Sequence, residues 1–369
     1  MATPQSSVRY SLGIDVSKAD FHVRLLGFAA DYREIRSHGK RKFANAPHGF
    51  AALVEWLAAR REPRAPLAVT MEATGVYHER LAYFLHDGGF AVSIQLPNKV
   101  QHYVRSLNEP SKTDDIDAYA IARMGLERRL EPWEAPSAAR RELRVLTREH
   151  QALNEELTAV KNQRHALQTA AGTPAATLAR HGARIALIAE QLAAVERAIA
   201  VATVRDEGLR REVALVTSLP GVALKTAAVV LAETDGFALF TSRNQLVKFC
   251  GYDIVSKQSG TSVKGRTRIS KKGNARVRRA LFFPVMSAVR VDGIFRDIYL
   301  RTYERTRCKM MAHVAVQRKL LITMMALVKT GQPYRPKYYL EREARRRKGA
   351  GRPEGRPAVD ADAFAGAPC

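Results

Sequence analysis

Apolar and polar positions follow two different periods along this chain, and the change of period divides it. Residues 8–128 mix short apolar runs with amphipathic stretches. YSLGIDVS reads as a short apolar strand, and FHVRLLGF alternates well enough to be its hairpin partner. HGFAALVEWLAARR has three-and-four apolar spacing, entered at Pro47, and predicts a helix. LAVTME predicts a strand, TGVYHERLAYFLHDGG a helix ending in a glycine pair, and AVSIQLP a further strand. DDIDAYAIARMGLERR predicts a helix whose acidic first turn suits the positive end of the helix dipole. This segment is expected to be an α/β domain.

From 129 to 205 the period is helical throughout. Leu143, Leu146, Leu153, Leu157, Val160 and Leu167 fall at three-and-four spacings, with His150 and Arg164 occupying seam positions. After Gly172-Thr173-Pro174 the pattern resumes at Ile185, Ile188, Leu192, Val195 and Ile199. Two long amphipathic helices with an interrupted seam predict a coiled-coil helical hairpin, either an oligomerisation arm or a linker packed on its own domain. Residues 206–333 form a third, mainly helical region. VALVTSLPGVALKTAAVVLAE predicts helix, turn, helix: either a helix–hairpin–helix whose turn offers backbone N–H groups to phosphate, or an ordinary helical corner. Met and Leu recur at core spacing in MMAHVAVQRKLLITMMALVKTG. Residues 334–369, rich in Arg, Gly, Pro and Ala, are expected to be a basic disordered tail.

The chain has 369 residues, 46% of them hydrophobic, which is enough apolar content for buried cores. Its formal net charge of +24 changes the picture most. Such an excess calls for a polyanion, bound by phosphate neutralisation and counterion release. Three scattered cysteines, Cys250, Cys308 and Cys369, make neither a disulfide framework nor a zinc pattern. No apolar run approaches the ~20 residues of a spanning helix, and MATPQSSVRY lacks the apolar core of a signal peptide. A cytoplasmic, nucleoid-associated protein with no membrane partner is expected.

Candidate chemistry lies in two places. Asp15, in GIDVSK, and Glu72, in VTMEATGVY, end apolar strands; Asp114 and Asp117, in KTDDIDA, stand three apart on one helical face. Each alone could be a cap or a surface charge, and Asp115 between the last two reads as solvent-facing. Together they form a set of hard oxygen ligands suited to Mg²⁺. Two such ions can clamp the attacking and leaving oxygens of a phosphodiester. Lys18 and Lys112 lie beside these motifs, to contact phosphate or to balance charge. The second place is Lys257-Gln258-Ser259-Gly260, followed by Lys264, Arg266, Arg268, Lys271, Lys272, Arg276, Arg278 and Arg279. Guanidinium groups suit a phosphoryl transition state, and Ser259 is either a nucleophile or part of a phosphate-binding turn. No histidine nearby in sequence offers it a base.

GIDVSK, MEATGVY, KTDDIDA, the LPGV segment and QSG…ISKKGNARVRRAL, in that order over residues 10–333, resemble the DEDD-type insertion-sequence transposases of the IS110 group, which includes the Piv DNA invertases. The resemblance implies an N-terminal RuvC-like (RNase H-like) domain, a coiled-coil insertion and a C-terminal transposase domain. It implies that Asp15, Glu72, Asp114 and Asp117 bind Mg²⁺ and that Ser259 is the nucleophile, the two halves of the site coming from different protomers. It also implies a structured guide RNA encoded by the element, double-stranded DNA as substrate, and a dimer that pairs into a tetramer on DNA. One departure stands out. The family commonly has Gly-Leu-x-Pro ahead of the serine loop, and this chain has Gly251-Tyr252-Asp253-Ile254. The rivals are a metal-dependent Holliday-junction-type endonuclease, which uses the acids alone, and a non-enzymatic nucleic-acid-binding protein.

Overall fold

The computed structural model describes residues 9–28, 34–63, 65–107, 114–255, 258–259, 263–264 and 268–336; at 114–115, 258–259 and 263–264 the description is of backbone alone. The chain divides into two compact units, Met1–Ala135 and Pro136–Cys369.

The first unit is α/β. β1 (Arg9–Val16) and β2 (Asp20–Phe28) form the antiparallel hairpin that their alternation predicts. Then follow β3 (Ile35–Ala44), α1 (Pro47–Ala58), β4 (Leu67–Glu72), α2 (Glu79–Asp87), β5 (Val92–Gln95), α3 (Pro97–Ser106) and α4 (Asp114–Glu127). The sheet order is β3-β2-β1-β4-β5, with β4 parallel to both β1 and β5. β1 is therefore central, and its Leu12 and Ile14 are fully buried beside Phe21, Leu53, Val69 and Met71. Two elements were not anticipated. β3 is an edge strand whose Arg36, Lys40, Arg41 and Lys42 conceal the period of two, and basic side chains are a usual guard of an exposed edge. α3 opens on Pro97 and buries only Val100 and Tyr103. α2 begins at Glu79, later than expected, because Thr74–His78 form turns in which Gly75 takes φ +55°.

The second unit is mainly helical. α5 (Ala138–Thr169) and α6 (Ala175–Arg205) pack along one another, and Val160, Ile188 and Leu192 form a small buried cluster between them. His150, one of the polar seam positions, meets Glu196 of α6 at 3.1 Å, and Lys225 reaches the same carboxylate at 2.8 Å. α7 (Glu207–Thr217) and α8 (Leu224–Thr234) flank the Leu219–Val222 turn. Gly221 there has φ +79°, and a Cβ on it would lie 2.5 Å from the Pro284 carbonyl oxygen. That turn is packed against protein at its glycine, the behaviour of a helical corner.

α9 (Arg243–Phe249) is followed by four two-residue strands, β6 (Ile254–Val255), β7 (Gln258–Ser259), β8 (Val263–Lys264) and β9 (Arg268–Ile269). Next come α10 (Ala275–Ala280), α11 (Phe282–Ala288), α12 (Ile294–Thr306) and α13 (Lys309–Thr330). Among the described residues α13 alone is long and apolar enough to cross a membrane. Its Ala312, Val316, Leu320, Leu321 and Met324 are fully buried within the helical unit, so its apolar character serves a core. Met325 is buried as well, whereas Met310 and Met311 are exposed.

Candidate active site

In the first unit the packing of α4 on the sheet sets its first turn near the strand ends that carry Asp15 and Glu72. A Cβ at Gly13 would lie 2.2 Å from the Ala118 carbonyl oxygen and 2.2 Å from the Ala122 nitrogen. A Cβ at Gly125 would lie 2.4 Å from Ser11 Oγ and 2.6 Å from Thr70 Oγ1. Glycine on both sides lets backbone meet strand closely. These contacts orient α4 antiparallel to β1: its end near Gly125 lies over Ser11, and its first turn lies over the C-terminal end of β1. Alternation then fixes the strand acids. Asp15 is two residues beyond Gly13 and Glu72 two beyond Thr70, so both stand on the sheet face that α4 covers. They are also neighbours, one step past the parallel pair Ile14–Met71.

Asp15, Glu72 and Asp117 are all half-buried. Position 114 is one turn before Ala118 on the stripe of α4 that meets the sheet. Among the described residues no three His, Cys, Asp or Glu side chains come together closely enough to hold an ion. The donor chemistry, carboxylate oxygens at adjoining strand ends, is that of a hard divalent cation. Lys18 is exposed in the β1–β2 turn, and Lys112 lies outside the described residues.

His78 was passed over in the sequence. It follows Glu72 by six residues, is 9% exposed, and its Nδ1 is buried without a hydrogen-bond partner. Burial pushes the imidazole below the usual histidine value, against the pull of Glu79. The signal available was position, on the loop that leaves an acid-bearing strand.

In the second unit the serine segment is a two-tier hairpin arm. Its stem pairs Ile254 with Ile269 and Val255 with Arg268; above it Gln258 pairs with Lys264 and Ser259 with Val263. Lys257 and Arg266 lie outside the described residues. The root of the arm is closed by backbone bonds: Ser270 N to Asp253 O at 2.8 Å, Lys271 N to Gly251 O at 3.1 Å, and Asn274 N to Phe249 O at 2.8 Å. Gly251 takes φ +70°, and a Cβ on Gly273 would lie 2.3 Å from the Phe249 carbonyl oxygen. The proline absent from Gly251-Tyr252-Asp253-Ile254 is offset here. Tyr252 is buried with its hydroxyl 3.2 Å from Gln317 Oε1, and the Ser270 hydroxyl donates to the Asp253 carboxylate.

The cations of the segment divide. Arg268, Lys271, Lys272, Arg276 and Arg279 are exposed, Arg279 pairing with Glu155 of α5. Arg278 donates to the carbonyls of Cys250, at 2.8 Å, and Gly273, at 3.3 Å, so it holds the root of the arm. A buried carboxylate fixes the helix behind it. Glu233 of α8 accepts from Arg148 at 2.8 Å and from Asn274 Nδ2 at 2.7 Å, while Asn274 Oδ1 caps α10 by accepting from the Arg276 and Val277 amides. Burial pushes the Glu233 carboxyl up, but those two partners outweigh it and hold the group below the ordinary carboxylate value. Glu212 behaves oppositely. Arg140 reaches it at 2.6 Å, yet its Oε2 is buried without a partner, and burial drives the carboxyl above its ordinary value.

A family model described as a transposase, of the DEDD IS110 type, matches residues 12–170, and another, described as Transposase IS116/IS110/IS902 family, matches residues 213–300. The pilin gene-inverting protein of Moraxella bovis is 25% identical over 325 residues, 88% of this chain and 97% of that protein. The uncharacterized insertion element IS110 protein of Streptomyces coelicolor is 28% identical over 120 residues, 32% of this chain and 29% of that one. Among solved structures, Thermus thermophilus RuvC in complex with a Holliday junction substrate matches with a TM-score of 0.26 and 15% identity, over 34% of this chain and 99% of that chain. The α/β assignment of the first unit rests on its own sheet. One family model spans the acidic motifs, the other spans the serine arm, and a relative aligns along nearly its whole length: the chain belongs to the IS110 family of DNA transposases and recombinases, related to the pilin gene-inverting proteins.

Proposed function

We propose that this protein recombines DNA by serine-nucleophile phosphoryl transfer, with its first unit acting as a RuvC-like (RNase H-like) metal-binding domain. The observation that carries the reading is the approach of α4 to β1 at Gly13, which brings the turn bearing Asp117 to the strand ends bearing Asp15 and Glu72. Asp15, Glu72, Asp114 and Asp117 would hold Mg²⁺, as two ions. When bound, such ions polarise the phosphodiester and stabilise the charge of the transferring group.

Ser259 Oγ attacks phosphorus and forms a phosphoserine ester, and the deoxyribose hydroxyl of the cut strand leaves with the serine proton. Attack by the hydroxyl of another strand reverses the exchange and returns the proton to Ser259, so bond energy is conserved. Lys257, Lys264, Arg266, Arg268, Lys271, Lys272, Arg276 and Arg279 hold the DNA backbone near the serine. Arg278 shapes the arm that presents them. The packed pair α5 and α6 serves as a coiled-coil arm for assembly, a dimer alone and a tetramer on DNA, with acids and serine supplied by different protomers. A structured RNA encoded by the element guides the choice of site. The protein works in the cytoplasm, on the nucleoid. The domains follow as 8–128, 129–205 and 206–333, with 334–369 a basic tail.

The test is a denaturing gel. Wild type and Ser259→Ala are co-expressed with the element's flanking RNA and incubated with junction DNA and Mg²⁺. A slow-migrating protein–DNA adduct in wild type alone is the expected result. Cleaved DNA without adduct in either protein would instead establish a hydrolytic, Holliday-junction-type nuclease and reduce Ser259 to a phosphate-binding turn.

A further inference from the structure

α12 and α13 pack along one another, and a groove of about 560 Å³ runs between them. Arg301 and Arg305 line it from α12, Arg318 and Lys319 from α13, over an apolar floor that includes Ile298 and Ile322. Among the described residues no carboxylate lines it. None of these four cations belongs to the arm or to α10.

The arrangement is costly for the protein alone. Arg301 and Arg305 are exposed and stand one turn apart, about 6 Å along the axis, a spacing at which like charges repel. Arg318 is half-buried, and its Nε is buried without a hydrogen-bond partner. The rest of the guanidinium lines the groove, where it is open to an acceptor from outside. Arg305 lies in the last turn of α12, where the helix dipole favours a cation; that explanation does not extend to Arg301 or Arg318. An anion in the groove offsets the repulsion between these cations. The volume greatly exceeds one phosphate group, and cations stand on both walls, so a run of phosphates fits better than a single ion. The apolar floor suits the sugar faces between them.

We propose that the α12–α13 groove is a second DNA-backbone site, holding a strand of duplex DNA through Arg301, Arg305 and Arg318. The proposal rests on the recombinase reading, which supplies DNA as the polyanion. Backbone contacts of this kind position a duplex without reading its sequence.

The test is a salt titration of full-length protein with a duplex of arbitrary sequence, over about 50–200 mM salt. Arg301→Gln/Arg305→Gln/Arg318→Gln is expected to weaken binding equally on unrelated sequences and to take about two to three from the slope of log affinity against log salt. Arg301→Gln/Arg305→Gln changes exposed side chains only, and is expected to take about two without disturbing the circular dichroism spectrum. Lysine at both positions should restore the slope. An unchanged slope in the double variant overturns the groove. So does a loss confined to structured RNA with duplex binding intact. Wild-type protein that binds no duplex at all would overturn the recombinase reading itself, an outcome read before any variant is made.

Discussion

The acid-bearing strand ends and the serine arm place their proposed reactive groups in opposite ways. In the first unit the acids sit on interior strands of the sheet and on the helix that covers it. β1 is central, buried on both sides, and locked to α4 by glycines whose replacement would drive atoms together. In the arm the proposed nucleophile sits on two-residue strands, and order is imposed at the root by backbone bonds and a part-buried side-chain bond. A metal site tolerates little displacement of its ligands, so it belongs on strands and helices. A nucleophile that has to reach a large substrate is better carried on a hairpin whose base is fixed. The lesson is that rigidity is spent where geometry is demanding, and reach is obtained by anchoring one end only.

The strongest way to break this comparison is at the proposed metal ligands. Asp15→Ala is expected to lower strand cleavage about 10³-fold or more while salt-sensitive duplex binding persists; cleavage within tenfold of wild type would remove Asp15 from the site. Gly13→Ala comes next. Its added Cβ meets α4 backbone and not a flexible side chain, so the first unit should lose about 2–4 kcal/mol in urea unfolding, and a loss under about 0.5 kcal/mol would refute the close approach.

The root of the arm gives smaller effects. Glu233→Ala should cost about 2 kcal/mol, because it unmakes the bonds of Arg148 and Asn274, and should speed amide exchange over residues 269–274. The sign with pH can be worked out. A depressed folded pKa means that the Glu233 contribution is full above the unfolded value near 4.5 and is lost as pH falls through the lower folded value. Glu233→Gln should therefore be destabilised at neutral pH and show a flatter acid limb. Glu212 runs the other way. Its raised pKa makes the carboxylate worse off in the fold, so stability drops as pH rises from about 4.5 through the folded value, and Glu212→Gln should abolish that drop. The smallest effects separate two adjacent arginines. Arg279→Ala should leave stability within about 0.5 kcal/mol and take about one from the DNA salt slope; Arg278→Ala should cost about 1–2 kcal/mol and leave the slope nearly unchanged. Identical behaviour of the two would erase the division between a cation that binds and one that braces.

Much of the first unit was legible because its chemistry coincides with its hydrophobic pattern. LGID and LAVTME are apolar runs ending in acids, and the runs are buried strands. β3 was not legible, since an edge strand carrying Arg36, Lys40, Arg41 and Lys42 has no apolar period to show. The four strands of the arm are too short for any period. In the segment from Lys264 to Arg279, composition alone could not tell Arg278 from Arg279: both are arginines in a basic run, and what separates them is the nearness of the Cys250 carbonyl, 28 residues away in sequence. The groove cations were hidden for a similar reason, since Arg301 and Arg318 become neighbours only when α12 and α13 pack.

The closed root has a consequence for how such proteins can diverge or be rebuilt. Residues 254 and 269 face each other as an antiparallel pair, about 5 Å apart, so the chain leaves and re-enters the helical unit at nearly one point. Lengthening or trimming what lies between them changes loop-closure entropy only slowly, by about 0.6 kcal/mol per doubling. Lengthening the segment between Val255 and Arg268 should therefore leave urea unfolding of the helical unit nearly unchanged, so its length can vary without recutting the core that carries it.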